Sequence, residues 1–231
     1  MKDLLFYLNF KLLPFQKNMT KPCEIIVFRT DAASQSVKSS NLLKPAFSRM
    51  LSSGLYSDIR IVLNAEEPIK AHKCVLMARS EKFKTMLSLQ MKESENNLIE
   101  IRSDEITLPI LKAMLHWIYS GECEFPENVK ELLILLKMTD EYFLHDLQKV
   151  CEEEIIERMD GLNALEILTS STLVLPLESE AIIKEVSKSV LLAEYDKVEA
   201  LVPDIEVKIA QVKGLMSDLF LFKRQKKSLT V

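Results

Sequence analysis

Two short runs near the middle of the chain constrain its fold more than any other feature. Ser57-Asp58-Ile59-Arg60-Ile61-Val62-Leu63 carries β-branched residues at alternate positions, the period of a strand with one buried face. A turn through Ala65-Glu66-Glu67-Pro68 follows. Ile69-Lys70-Ala71-His72 then makes a second short strand that leads straight into a helix from Lys73. A carboxylate opens the first strand and a His-Lys pair closes the second. Such an order calls for a small sheet that shares its core with helices.

Composition agrees. The 231 residues suffice for one large domain or two small ones. An apolar fraction of 48% with 28% charged residues is that of a folded, soluble protein. Only 4 glycines argue against a many-turned all-β fold, and 10 methionines among long Leu, Ile, Lys and Glu runs favour helix. The net charge of −4 gives no general attraction to nucleic acid. The one basic cluster, Lys223-Arg224-Gln225-Lys226-Lys227, reads first as a solvated tail and second as an import signal or a site for an acidic partner. No apolar run approaches the roughly 20 residues of a membrane helix, so no membrane partner is expected. Residues 1–15 are rich in Leu and Phe, but Asp3, Asn9 and Lys11 interrupt them, which disfavours a signal peptide. Cys23, Cys74, Cys123 and Cys151 are widely spaced and form no C-x-x-C pair. Reduced thiols in the cytoplasm or nucleus are therefore expected. His72, His116 and His145 do not cluster with them at zinc-ligand spacing, so no metal or other cofactor is expected.

Residues 1–40 read as a leader. The β-like run Glu24-Ile25-Ile26-Val27-Phe28 precedes a small polar linker. The leader is either the remnant of a preceding domain or a strand that pairs with a partner chain. Leu43, Phe47 and Met50 then stand at i, i+4 and i+7 of a helix closed near Gly54. Further helices are expected at 73–78 and 81–89, the second capped by Ser80. Leu98-Ile99-Glu100-Ile101 reads as a third strand. Helices follow at 108–119, with Pro109 in the first turn and Gly121 at the end, then at 128–138 and 144–158. Beyond Gly161 the spacing predicts helices at 164–169 and 177–192 and one from Pro203 to Phe222. Val198, Val202, Ile205, Ile209, Val212, Met216 and Leu219 alternate steps of four and three, a heptad seam. About two and a half heptads are short for a free coiled coil, so packing on the preceding helices is the preferred reading over a partner helix. No internal repeat is present.

Six pieces in order resemble the BTB/POZ family over residues 41–157: the helix of Leu43, Tyr56-Ser57-Asp58-Ile59, Ala71-His72-Lys73-Cys74-Val75-Leu76, Arg79-Ser80-Glu81-Lys82-Phe83, Leu98-Ile99-Glu100-Ile101, and Leu115-His116-Trp117-Ile118-Tyr119-Ser120-Gly121-Glu122. The likeness is nearest to substrate adaptors of cullin-RING ubiquitin ligases such as the speckle-type POZ protein. Residues 158–222 are similar in place and type to the helical BACK extension of those adaptors, ahead of a basic tail at 223–231. No MATH domain before the domain and no Kelch repeat after it is visible.

The resemblance implies an α+β fold: a small, mostly antiparallel sheet flanked by helices, then an all-helical extension. It implies a homodimer across the helix face of Leu43, Phe47 and Met50, with Val75 nearby; taken alone, an amphipathic helix normally packs on its own core, and the dimer is the preferred reading. It also implies a cullin contact. Met91-Lys92-Glu93 matches the hydrophobic-x-acidic motif of the adaptors, and Glu95 could share the acidic role. Tyr142 and Phe143 fall in a segment resembling a second contact, or are core aromatics at a helix junction. Asp58, His72 and Lys73 look structural in that frame, with Asp58 out of water and partnered by Lys73 or a backbone N–H. No nucleophile with a base and an orienting group can be assembled, and no phosphate-binding glycine loop is present. The expected function is a non-enzymatic adaptor that dimerises, holds a cullin and presents a protein substrate for ubiquitin transfer. The rival is a BTB scaffold for transcriptional or other assemblies, without a cullin.

Overall fold

The computed structural model describes residues 37–88, 96–170 and 174–228. The run at 24–28, the linker up to residue 36, and Met91, Glu93 and Glu95 lie outside the described residues. The described chain divides into two compact units, one reaching to Cys151 and the other starting at Glu152.

The first unit begins with α1 (Val37–Ser53), which carries Pro45 inside it and therefore lacks one backbone rung. The amide of Gly54 ends it, donating to the Met50 carbonyl at 3.2 Å. The alternation read from sequence is realised in β1 (Ile59–Leu63), where Ile59, Ile61 and Leu63 are buried and Arg60 is exposed. β1 lies between β2 (Ile69–Ala71) and β3 (Leu98–Ile101). Ile59 faces Ala71 in an antiparallel pair, and Ile61 faces Ile99 in a parallel one. The sheet is thus mixed rather than mostly antiparallel. The cause lies in the connection: β3 returns only after a crossover whose described residues include two helices, which brings a strand back in the same direction.

Those helices, α2 (Lys73–Arg79) and α3 (Glu81–Met86), meet at Ser80. The Ser80 backbone is extended, and its hydroxyl accepts the Phe83 amide at 3.3 Å. The centre of the unit is α4 (Leu108–Ser120). It has Pro109 in its first turn and buries Ile110, Leu111, Met114, Leu115 and Ile118 almost completely. A helix apolar on so many sides must be covered all round, and α1, α2 and α5 (Val129–Glu141) pack on it. Asn128 caps α5 by accepting the Lys130 amide at 2.9 Å. The division between the units falls inside α6 (His145–Glu157).

The second unit is helical: α7 (Gly161–Thr169), α8 (Leu177–Ala193), α9 (Tyr195–Leu201), α10 (Ile205–Ala210) and α11 (Leu215–Ser228). Asp160 caps α7, accepting the Asn163 amide at 2.8 Å. The single helix expected from Pro203 to Phe222 is instead α10 and α11, broken at 211–214. Gly214 takes φ +83°, a left-handed value that suits glycine and ends a helical run. Around it the amides of Val212 and Leu215 reach back only three residues, to Ile209 and Val212. The heptad seam survives the break, with Val198, Ile205, Ile209 and Leu219 all buried inside this unit. The helix α9, absent from the sequence reading, supplies its first member, Val198.

Candidate interaction surfaces

The strand-to-helix junction is a closed hydrogen-bond set. His72 is buried, and its amide donates to the Tyr119 hydroxyl at 2.7 Å. Its ring Nε2 lies 2.8 Å from the Leu55 carbonyl and its Nδ1 2.9 Å from the same Tyr119 hydroxyl. A carbonyl only accepts, so the network assigns the ring hydrogen to Nε2, and the Tyr119 O–H donates to Nδ1. Burial pushes the Tyr119 phenol up to about 12, although the His72 amide beside it pulls the other way. Asp58 Oδ1, just before β1, accepts the Lys73 amide at 2.8 Å and so ties the start of α2 to the open end of the hairpin. Asp58 is exposed rather than withdrawn from water, and a backbone N–H partners it. The three residues thus join β1, β2, α2 and α4, and no open cleft surrounds the imidazole.

The second surface is the outward side of α1. Its opposite side packs on α4, and Lys44 reaches Glu122 at 3.2 Å. Leu43 stays 61% exposed and Phe47 37%, while Met50 is half-buried. Val75 is only 9% exposed, so it offers little area to another chain, and its neighbour Cys74 is exposed. Leu55 and the almost wholly exposed Tyr56 extend the apolar surface past the end of α1. Sequence reasoning passed over that pair, although two large apolar residues directly after a helix-ending glycine were a signal.

The third surface lies where α3 meets the turn between α5 and α6. Tyr142 is buried, its ring 4.9 Å from Phe83 and its backbone carbonyl accepting the Ser80 hydroxyl at 2.7 Å. Burial, with Glu141 beside it, raises its phenol far above the usual tyrosine range. Lys82 stands over the same ring at 4.4 Å and pairs with Glu141. Phe143, at φ +55°, turns outward and is exposed. Of the two aromatics expected at a contact, Tyr142 is therefore core and Phe143 is surface. A groove of about 330 Å³ runs beside them, lined by Met86, Ile101, Ile134 and Met138 between charged rims. The chain leaves α3 next to this groove and carries Met91 and Glu93 outside the described residues before β3 begins.

A larger groove of about 990 Å³ opens between the end of α1, β2 and α4. Pro68, Ile69, Pro109, Leu115 and Phe125 line it. Its lining carries Lys70 and Lys112 against Glu124, Glu127 and Glu131, one carboxylate in excess of the cations. Among the described residues no three His, Cys, Asp or Glu side chains gather to hold a metal ion, and no helix is long and apolar enough to cross a membrane.

Known proteins match over the region just described. Residues 47–159 match the BTB/POZ domain. The BTB/POZ domain-containing protein At1g21780 of Arabidopsis thaliana is 32% identical over 167 residues, which cover 72% of this chain and 48% of that protein. The BTB/POZ domain-containing protein At1g55760 of the same plant is 35% identical over 126 residues, 54% of this chain and 37% of that protein. The chain thus spans half or less of the length of these curated relatives. Among solved structures, the BTB domain of zebrafish PATZ1 superposes with a TM-score of 0.42 at 20% identity, covering 54% of this chain and 95% of that one.

Proposed function

We propose, on the premise that this chain carries a BTB/POZ domain at residues 47–159 and is thereby a protein–protein interaction module, that it works as a homodimeric substrate adaptor for a cullin-based ubiquitin ligase. One observation carries the dimer: α1 is held on α4 by one side and leaves Leu43 and Phe47 facing solvent on the other. Fully burying a Leu or Phe side chain stabilises by about 1.5–3 kcal/mol, and partial burial by a share of that. A two-fold contact counts each gain twice, because the same patch serves both copies.

The cullin contact is the finer part of the proposal. It rests on the Met91-Lys92-Glu93 motif and on the place where that segment departs, beside the groove under Met86 and the turn that exposes Phe143. A methionine is a pliable apolar knob, and a carboxylate two residues on orients the approach and speeds encounter. The second unit would act as the BACK-like extension, and ubiquitin transfer would belong to other subunits. Substrate capture is left to parts beyond the two surfaces named here. The widely spaced cysteines suit a reduced compartment, cytoplasm or nucleus. The test is a pull-down on an immobilised cullin with wild type, Met91→Glu and Glu93→Lys. Retention of the wild type and loss with either substitution is expected. A wild type that is not retained would favour the scaffold without a cullin.

A further inference from the structure

We infer that the C-terminal half of α11 is a docking site for an acidic, partly apolar segment of a partner protein. One side of the helix is already used: Leu215 and Leu219 are buried in the second unit, and Lys223 Nζ lies 4.2 Å over the Tyr195 ring. The other side is not. Phe220 is 67% exposed and Leu221 57%, and Arg224, one turn beyond Phe220, is exposed as well. Lys226 and Lys227 follow in the same helix, which places four cations among residues 223–227 of a chain whose net charge is −4.

Cations near the end of a helix are favoured by its dipole, and this accounts for the lysines alone. It does not account for a phenylalanine and a leucine left side by side in water at the edge of the same cluster. The pairing of apolar knobs with concentrated charge selects the occupant by complementarity: a peptide with carboxylates spaced around apolar residues, laid along the helix. The field is local. On the inner side the Tyr195 hydroxyl donates to Glu199 at 3.1 Å, and Glu206 and Asp196 are near enough to act on it. With a screening length of about 8 Å at physiological salt, the basic field covers the width of a helix rather than a broad face. This inference goes beyond the adaptor proposal and depends on neither the dimer nor the cullin.

The experiment uses the full chain and a fluorescein-labelled amphipathic peptide of Glu and Leu at helical spacing, with a scrambled peptide of equal composition as control. Fluorescence anisotropy should show the ordered peptide binding about tenfold or more tighter than the scrambled one, with affinity falling as salt rises. Arg224→Glu with Lys227→Glu, and separately Phe220→Ser with Leu221→Ser, should each weaken it by about tenfold. Phe220, Leu221 and Arg224 are exposed and Lys227 belongs to the last turn of α11, so circular dichroism melts of both variants should match the wild type. Equal binding of the two peptides, indifference to both variants, or preferential binding to phosphatidylserine vesicles over the peptide would overturn the inference.

Discussion

The hydroxyl of Tyr119 takes the His72 amide and gives its own hydrogen to the His72 ring, so one phenol satisfies two buried polar groups of another residue. Removing it in Tyr119→Phe leaves both without a partner, and an unsatisfied buried group costs about 1–3 kcal/mol. Urea denaturation of wild type and variant should show that loss, with an unchanged slope. The same phenol sets a limit at high pH. Its value is about 12 in the fold against 10.0 in an unperturbed chain. Between those values the unfolded chain has released the proton and the folded chain still holds it, so stability falls as pH rises. Below pH 10 the contribution is fully present. Tyr195, raised to about 12 by burial and by Glu199, acts in the same direction. Denaturation midpoints should therefore drop between about pH 10 and about pH 12, and drop less in Tyr119→Phe than in the wild type. The sequence marks His72 as structural only through the family resemblance. Its partners are not legible there, because Tyr119 lies 47 residues away and Leu55 contributes only a backbone carbonyl.

At the scale of elements, local pattern was most informative where one face of an element is buried. The alternation of Ile59, Ile61 and Leu63 fixed β1, and Pro109 with Gly121 framed α4 to within a residue. Pattern failed where two different structures satisfy it. From Pro203 onward a heptad seam is compatible with one long helix or with two that keep the same side inward, and the break at Gly214 makes it two. It also could not show that the sheet is mixed, since strand direction depends on the whole crossover between β1 and β3. Close approach of elements is equally silent in a sequence. Gly161, at the start of α7, donates its amide to Glu194 Oε2 at 2.9 Å, and a Cβ built there would meet Val198 Cγ2 at 2.4 Å. Gly161→Ala should thus cost about 1–3 kcal/mol by overpacking. Thermal melting would register this as a lowering of about 2–4 °C for each kcal/mol in a protein of this size. An unchanged melting temperature would mean that α7 and α9 can part without cost.

At the scale of the molecule, the chain carries a BTB/POZ domain at 47–159 and a helical unit from Glu152 onward. The fold class was legible because six family pieces fall in order; which side chains stay exposed was legible only in part. The helix of Leu43 and Phe47 could be read, but its freedom from the core could not, since an amphipathic pattern looks the same whether a chain or a partner covers it. Tyr142 and Phe143 are neighbours in sequence, yet one is core and the other surface, a difference made by the left-handed turn at Phe143. The most direct test of the account is the mass of the full chain in solution by sedimentation equilibrium, for wild type and for Leu43→Asp with Phe47→Asp. Self-association through α1 predicts twice the 26.5 kDa of one chain for the wild type and 26.5 kDa for the still-folded variant. A wild type of 26.5 kDa at all concentrations, or a variant that remains a dimer, would contradict it.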